Sequence, residues 1–396
     1  MMPGRHIAIV LLSLSLAGTA AAQETRRAPV EGGNERQTAG WTISPALGFS
    51  AVRDDNVLFD DEEAQPVAET VSVVQPAVTL GFRNRRTEFG GRYLGSYVAH
   101  QDLSSLNSYE QRVTLGARHM VSRRTTVFAR HSAAALPTTE LLELQGIPYT
   151  RVGSRLQDLN AGVEFAASRR TDVSAAYHFQ WVDFDRQQGP ARLMGGYSHG
   201  ANVQVTHDVT PRTAVTGEYR LDRASLADGE TFAVQVGWGG VQHRLSDDLT
   251  VFGEAGFSRL GLGSDGQTGP AWRAGLARDF RRAGVSIIYS RSYVPSYGFG
   301  GTLQNEDVTG RLRLPIGRRA WVTTAAAWRS NDPLEPGQLS LETLWFDGTV
   351  GYAFTPWMRV EGFVSGAHQT IDRPGGTLDR FRYGIQVTTS ATARIR

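Results

Sequence analysis

The amino-acid sequence predicts an all-β protein: a transmembrane antiparallel up-and-down β-barrel of about eighteen strands, with sixteen as the alternative count. Three observations carry that expectation. Long stretches alternate apolar and polar residues with a period of two, as strands with one greasy and one wet face do. Tight polar turns recur at Asn84-Arg85-Arg86-Thr87, Ser122-Arg123-Arg124-Thr125, Ser168-Arg169-Arg170-Thr171 and Pro211-Arg212-Thr213, with looser versions beginning at Ser246, Arg281, Gly317 and Thr355. Their starts lie 35 to 46 residues apart. That length holds two long strands, one short turn and one longer loop, whereas a propeller blade would divide it among four short strands. Eight short turns join sixteen strands in pairs, and one unpaired strand at each end makes eighteen, with both termini on the periplasmic side.

Residues 1–22 place Arg5 and His6 ahead of an apolar run from Ile7 to Leu16 and end in Ala20-Ala21-Ala22. This is the layout of a secretory signal peptide, and the apolar run is too short to span a bilayer as a helix. Cysteine is absent from the chain, so neither a lipid-anchored N-terminus nor disulfide stapling is expected. A secreted domain of this size then depends on a large hydrogen-bonded ladder or a large core. Residues 23–40 are polar and glycine-containing and read as a flexible periplasmic lead-in too short for a folded plug. The barrel occupies residues 41–396.

Hydrophobic residues make up 40% of the chain, and the mean hydropathy is -0.29. A β-barrel has such an average because only every second residue faces lipid. The net charge of +2 conceals arginines concentrated in the short turns, where solvation is their expected state.

The first strand begins near Trp41, and the acidic stretch Asp54 to Thr70 leaves it as a hydrated loop. The hairpin Asn107 to Ala135 is the type example: Val113, Leu115 and Ala117 alternate with Arg112, Thr114, Gly116 and Arg118. Further on, Leu159, Ala161, Val163 and Phe165, then Val173, Ala175, Tyr177, Phe179 and Trp181, form apolar faces. The same rhythm places Val203 and Val205; Val215, Tyr219 and Leu221; Val234, Val236 and Trp238; and Val251, Ala255 and Phe257 outward. It continues through Trp272 and Leu276, Ile287 and Tyr289, Leu312 and Leu314, Phe346 and Val350, and Phe381, Tyr383 and Ile385. Longer connections, including Leu136 to Thr150, are expected to face outward from the cell. Trp41, Trp181, Trp321, Phe354 and Trp357 lie near strand ends and suit interfacial girdles.

The step Asp54-Asp55-Asn56-Val57, followed by the Pro76-containing second strand and the Tyr93- and Tyr97-bearing third, resembles the opening of a family of outer-membrane β-barrel porins. The resemblance covers the mature chain, and its specific part is confined to about the first hundred mature residues. It implies a location in the outer membrane, in contact with lipid and lipopolysaccharide, and association with exopolysaccharide synthesis and exosortase systems. It also implies that a polysaccharide is the transported substrate and that a periplasmic polysaccharide-export protein is the partner. It carries no catalytic residues. One departure is the ending Ser390 to Arg396, which lacks the terminal aromatic residue usual in such barrels.

The residues expected to line the lumen are Arg92, Arg112, Arg118, Glu164, Glu218, Arg220, Glu254, Arg273, Arg311, Arg313, Glu361 and Arg382. Arginine in excess makes that wall polar and mildly favourable to anions, and planar guanidinium groups suit sugar hydroxyls and carboxylates. Mutual pairing that merely holds the wall in shape is the competing account. The nine histidines show no metal-ligand spacing or nucleophile constellation, so neither a metal, a cofactor nor an enzyme is expected. No basic and aromatic pattern suggests nucleic acid. The function is therefore expected to be passage: an exopolysaccharide exit, a general diffusion pore, or a structural barrel with no transport role.

Overall fold

The computed structural model describes residues 39–395, apart from 62–64, 143–145, 186–192, 262–265, 280–282, 299–300, 335–338 and 373–375. The expected signal peptide and nearly all of the lead-in lie outside the described residues. The wall begins with β1 (Gly40–Asp54), β2 (Glu69–Arg83), β3 (Thr87–His100), β4 (Ser108–Met120), β5 (Thr125–Leu136) and β6 (Ser154–Ala166). It continues with β7 (Thr171–Phe184), β8 (Gly196–Thr210), β9 (Thr213–Leu226), β10 (Thr231–Arg244), β11 (Leu249–Gly261) and β12 (Gln267–Asp279). β13 (Gly284–Pro295), β14 (Thr302–Ile316), β15 (Ala320–Pro333), β16 (Leu341–Thr355), β17 (Met358–Ile371) and β18 (Thr377–Ser390) complete it.

Each strand pairs antiparallel with the next, and β1 pairs with β18 from Ala46↔Ser390 to Asp54↔Arg382. The sheet therefore closes as an eighteen-stranded barrel, not a sixteen-stranded one. A short β19 (Ala393–Ile395) prolongs the seam against Trp41 to Ile43. The described ends of the chain lie at the rim that carries the short turns.

Those turns are held by their first polar side chain. Asn84 Oδ1 accepts from the backbone N–H groups of Arg86 (2.8 Å) and Thr87 (2.7 Å). Ser122 Oγ does the same for Arg124 and Thr125, and Thr210 Oγ1 for Arg212 and Thr213. This local bonding is why Asn, Ser and Thr open the repeated motif. Threonines that follow the turns bond histidines of the next hairpin: Thr87 to His119 (2.9 Å), Thr171 to His207 (3.0 Å) and Thr213 to His243 (2.9 Å).

Alternation sorts the two faces. Large apolar residues stand exposed on the outside, including Phe49, Val203, Phe257, Val350 at 60% and Ile385 at 62%. Strand β10 departs from expectation. Its register sets Val234 opposite Asp222, Val236 opposite Arg220 and Trp238 opposite Glu218, so these three apolar residues point inward. All are buried, and Gly237 and Gly239 take the outer positions. The physical reason is a second apolar contact inside the barrel: Phe232, Val234, Val236 and Trp238 cluster with Leu142, Ile147, Val182 and Tyr297. Trp321 also departs from the expected girdle, packing against Gly351 on the inner face.

If the outer face meets hydrocarbon, Val350→Arg costs about 2–4 kcal/mol near mid-bilayer, while Thr349→Arg, one residue away on the inner face, is tolerated. Urea titration of folding into lipid vesicles reads both; equal stability of the two variants contradicts this assignment of faces.

Candidate functional site

The connection Leu136 to Thr150, between β5 and β6, was expected to face outward as a loop. The described residues between the two strands instead turn into the mouth of the barrel. The base is closed by Thr139, whose N–H donates to Thr150 O (3.0 Å) and whose hydroxyl donates to Pro148 O (2.6 Å). Leu142 and Ile147 are both buried in the interior apolar cluster, which gives the segment a reason to fold inward. Gly146 has φ of +71°, and a Cβ there would collide with Leu303 and Ser296. Only glycine combines that backbone with that approach.

The segment is tied to a distant stretch of the wall. Glu140 is paired with Arg380 and, at 3.1 Å, with Arg382, both on β18. The Tyr149 N–H donates to Gln369 Oε1 on β17 (2.7 Å). Arg151 donates to Val57 O (3.0 Å) and Leu106 O (3.1 Å), and its Nη2 lies 3.1 Å from His100 Nε2. Burial pushes this guanidinium below its ordinary range. In sheet order β5 is separated from β17 by β4, β3, β2, β1 and β18, so the segment is a strap across the lumen. A third piece joins it: Gly298 and Met194 exchange backbone hydrogen bonds of 2.6 and 2.8 Å, and Gly298 packs on Gly146 and Ile147.

The motif Asp54-Asp55-Asn56-Val57 lies in the same cluster. The expectation of a hydrated acidic loop is corrected here for its first carboxylate, Asp54, while Asp55 stays exposed. Asp54 is 4% exposed and paired with Arg380. Asp55 bonds the backbone of Phe381 twice, accepting at Oδ1 (2.6 Å) and donating its N–H (3.1 Å). Asn56, 1% exposed, donates to Asp60 O (2.7 Å) and Asp379 O (3.0 Å) and accepts from Asp60 N at 2.9 Å. Val57 is fully buried. The Arg380 guanidinium also sits 4.0 Å from the Phe59 ring centre, where the ring face attracts a cation. The motif is a clasp that fastens the exit of β1 to β18. Glu62 and Glu63, part of the same acidic run, lie outside the described residues.

By register, the twelve charged residues expected in the lumen all stand on the face opposite the exposed apolar band, and the structure gives them unequal surroundings. Arg118 is paired with Glu164. Arg273 is 2% exposed and bridges Glu254 and Glu218, with its guanidinium 5.1 Å from the Trp238 ring. Glu218 and Glu254 are buried too, so this triad is a closed internal network. Arg220 lies 2.8 Å from Asp222, which also bonds His178. Arg359 approaches Glu361 at 3.8 Å. Arg311 and Asp347 both oppose Ala325, and Arg313 follows on the same face. Arg92 and Arg112 are half-buried on β3 and β4. Of the twelve, only Arg382 is brought to the strap by a described ion pair. Arg380, Glu140 and Arg151 escaped the sequence reading; the apolar residues within residues 137–153 were the available sign that this loop turns inward.

An eighteen-stranded closed barrel with an apolar outside, a charged inside and a strapped mouth belongs to the architectural class of membrane β-barrels. No protein-family model matches the chain, and no curated protein sequence does. Among solved structures it is similar to OpdQ of Pseudomonas aeruginosa, at 12% identity over 89% of this chain and 98% of that one, TM-score 0.47. It is also similar to OccAB2 of Acinetobacter baumannii (10% identity, 89% and 98% covered, TM-score 0.48). A third is the siderophore receptor PirA of Pseudomonas aeruginosa (8% identity, 90% and 81% covered, TM-score 0.49).

Removing Arg380 leaves the buried Asp54 and the half-buried Glu140 without their main partner. Arg380→Ala should destabilise the barrel by about 3–5 kcal/mol, the usual cost of breaking a buried pair from one side. A urea midpoint unchanged from wild type would show that the clasp contributes nothing to stability.

Proposed function

We propose that the chain is an outer-membrane channel that passes hydrophilic solutes, with its short turns and both described ends facing the periplasm. The observation that carries this reading is the strap, tied at Glu140, Tyr149 and Arg151 across a barrel whose wall is charged within and apolar without. A barrel of this strand number encloses an aqueous path. A chain element fixed across such a path sets its width, and the arginines beside it set its charge preference.

Two substrates divide this reading. The resemblance carried by Asp54 to Val57 favours a polysaccharide leaving the cell, handed over by a periplasmic export protein. The anchored strap favours the second, a general diffusion pore, because an aperture pinned on several sides suits small solutes. A deletion strain separates them: normal polymer secretion without the protein rejects the export role and leaves the diffusion role standing. In either case the reading has lipid and lipopolysaccharide surrounding the barrel.

In a planar bilayer the wild-type protein should conduct, and replacing residues 138–150 by a short glycine linker should raise single-channel conductance several-fold. A silent wild-type protein rejects both channel readings. Arg311→Glu combined with Arg313→Glu should shift the reversal potential toward cation preference. An unmoved potential places these two side chains off the conducting path.

A further inference from the structure

The inner wall beside the strap carries a set of buried polar atoms without partners. Ser292 on β13, Asn305 on β14 and Asn331 on β15 stand opposite one another in register, and Arg329 lies one inward step below Asn331. Each is at most 7% exposed. Ser292 Oγ, Asn305 Oδ1, Asn331 Oδ1 and Arg329 Nε all lack a hydrogen-bond partner among the described residues. Their neighbours are already engaged: Asp307 accepts from Ser290 Oγ (2.5 Å), Asn305 Nδ2 (3.3 Å) and Thr309 Oγ1 (3.3 Å). Buried polar atoms in folded proteins nearly always have partners, so four orphans on adjoining strands are an anomaly with a direction. They ask for a ligand that both accepts and donates.

An aromatic surface adjoins them. Trp345 on β16 faces inward, two residues from Thr343, which stands opposite Arg329. It is half-buried, and its register partners Ala327 and Ala367 are small. Three neighbouring strands spread the orphans over about 10 Å, comparable to a disaccharide. A sugar ring offers an apolar C–H face to an indole and hydroxyls at its edge that donate to amide and hydroxyl oxygens and accept from a guanidinium N–H.

We propose that Ser292, Asn305, Asn331, Arg329 and Trp345 form a binding subsite for a neutral, ring-bearing polyhydroxylated solute. The proposal rests on the channel reading above and adds the solute class to it. The Gly146 to Tyr149 stretch of the strap touches the wall on either side of the subsite, at Leu303 and Gln369. The four atoms are buried, so a solute reaches them only by displacing what covers them, and the hydrogen bonds it gives them favour that displacement.

The test uses maltohexaose as the probe and a size-matched polyethylene glycol as the control, with the purified protein in a planar bilayer. Maltohexaose should interrupt the current in a concentration-dependent way. Asn305→Ala combined with Asn331→Ala should weaken that block at least tenfold, measured as the fraction of each variant's own open-channel current, and Trp345→Ala should weaken it similarly. The glycol should block wild type and variants alike. Equal maltohexaose block of wild type and the double variant overturns the subsite. Should the wild-type protein not conduct, the channel reading fails separately, and calorimetry of maltohexaose with detergent-solubilised protein decides the subsite. There, no binding to wild type, or equal binding to both, overturns it.

Discussion

Backbone hydrogen bonding that leaves no free edge is the constraint on which the rest of this molecule depends. An unpaired peptide group in hydrocarbon costs several kcal/mol, so a sheet whose outer face is apolar survives there only when its first strand meets its last. The β1–β18 pairing supplies that meeting. Alternation then follows from closure: once the wall is a cylinder, each side chain is either outside or inside, and neighbouring strands fix each other's parity through their register.

Inside, the charges are arranged less as a uniform lining than as separate pieces of work. The Glu218–Arg273–Glu254 triad is sealed beneath Trp238 and stiffens the wall. Arg380 binds Asp54 of the clasp and Glu140 of the strap together. Through that one guanidinium the seam and the constriction share a support, so the width of the mouth and the integrity of the cylinder are not independent properties.

The strand count, the short turns and most of the outward faces were legible in the sequence, because a period of two and a side-chain-capped turn are local patterns. What escaped was decided by contacts distant in sequence. Val234, Val236 and Trp238 alternate like any lipid-facing set, and only the register with Glu218, Arg220 and Asp222 turns them inward. Asp54 looks like the start of a hydrated acidic loop until Arg380, 326 residues away, is brought beside it. The strap is the same case: its apolar residues have no local partners and take their meaning from the interior cluster they join.

That 326-residue separation has a kinetic consequence. Contacts so far apart in the chain form late, because the whole intervening polypeptide must first be laid down in order. The clasp at Asp54 and Asn56 can close only once β18 stands beside β1, and until then that edge of the first strand has no partner. Until closure both this edge and the growing edge opposite it are open to pairing with another chain, and that is the hazard built into the topology.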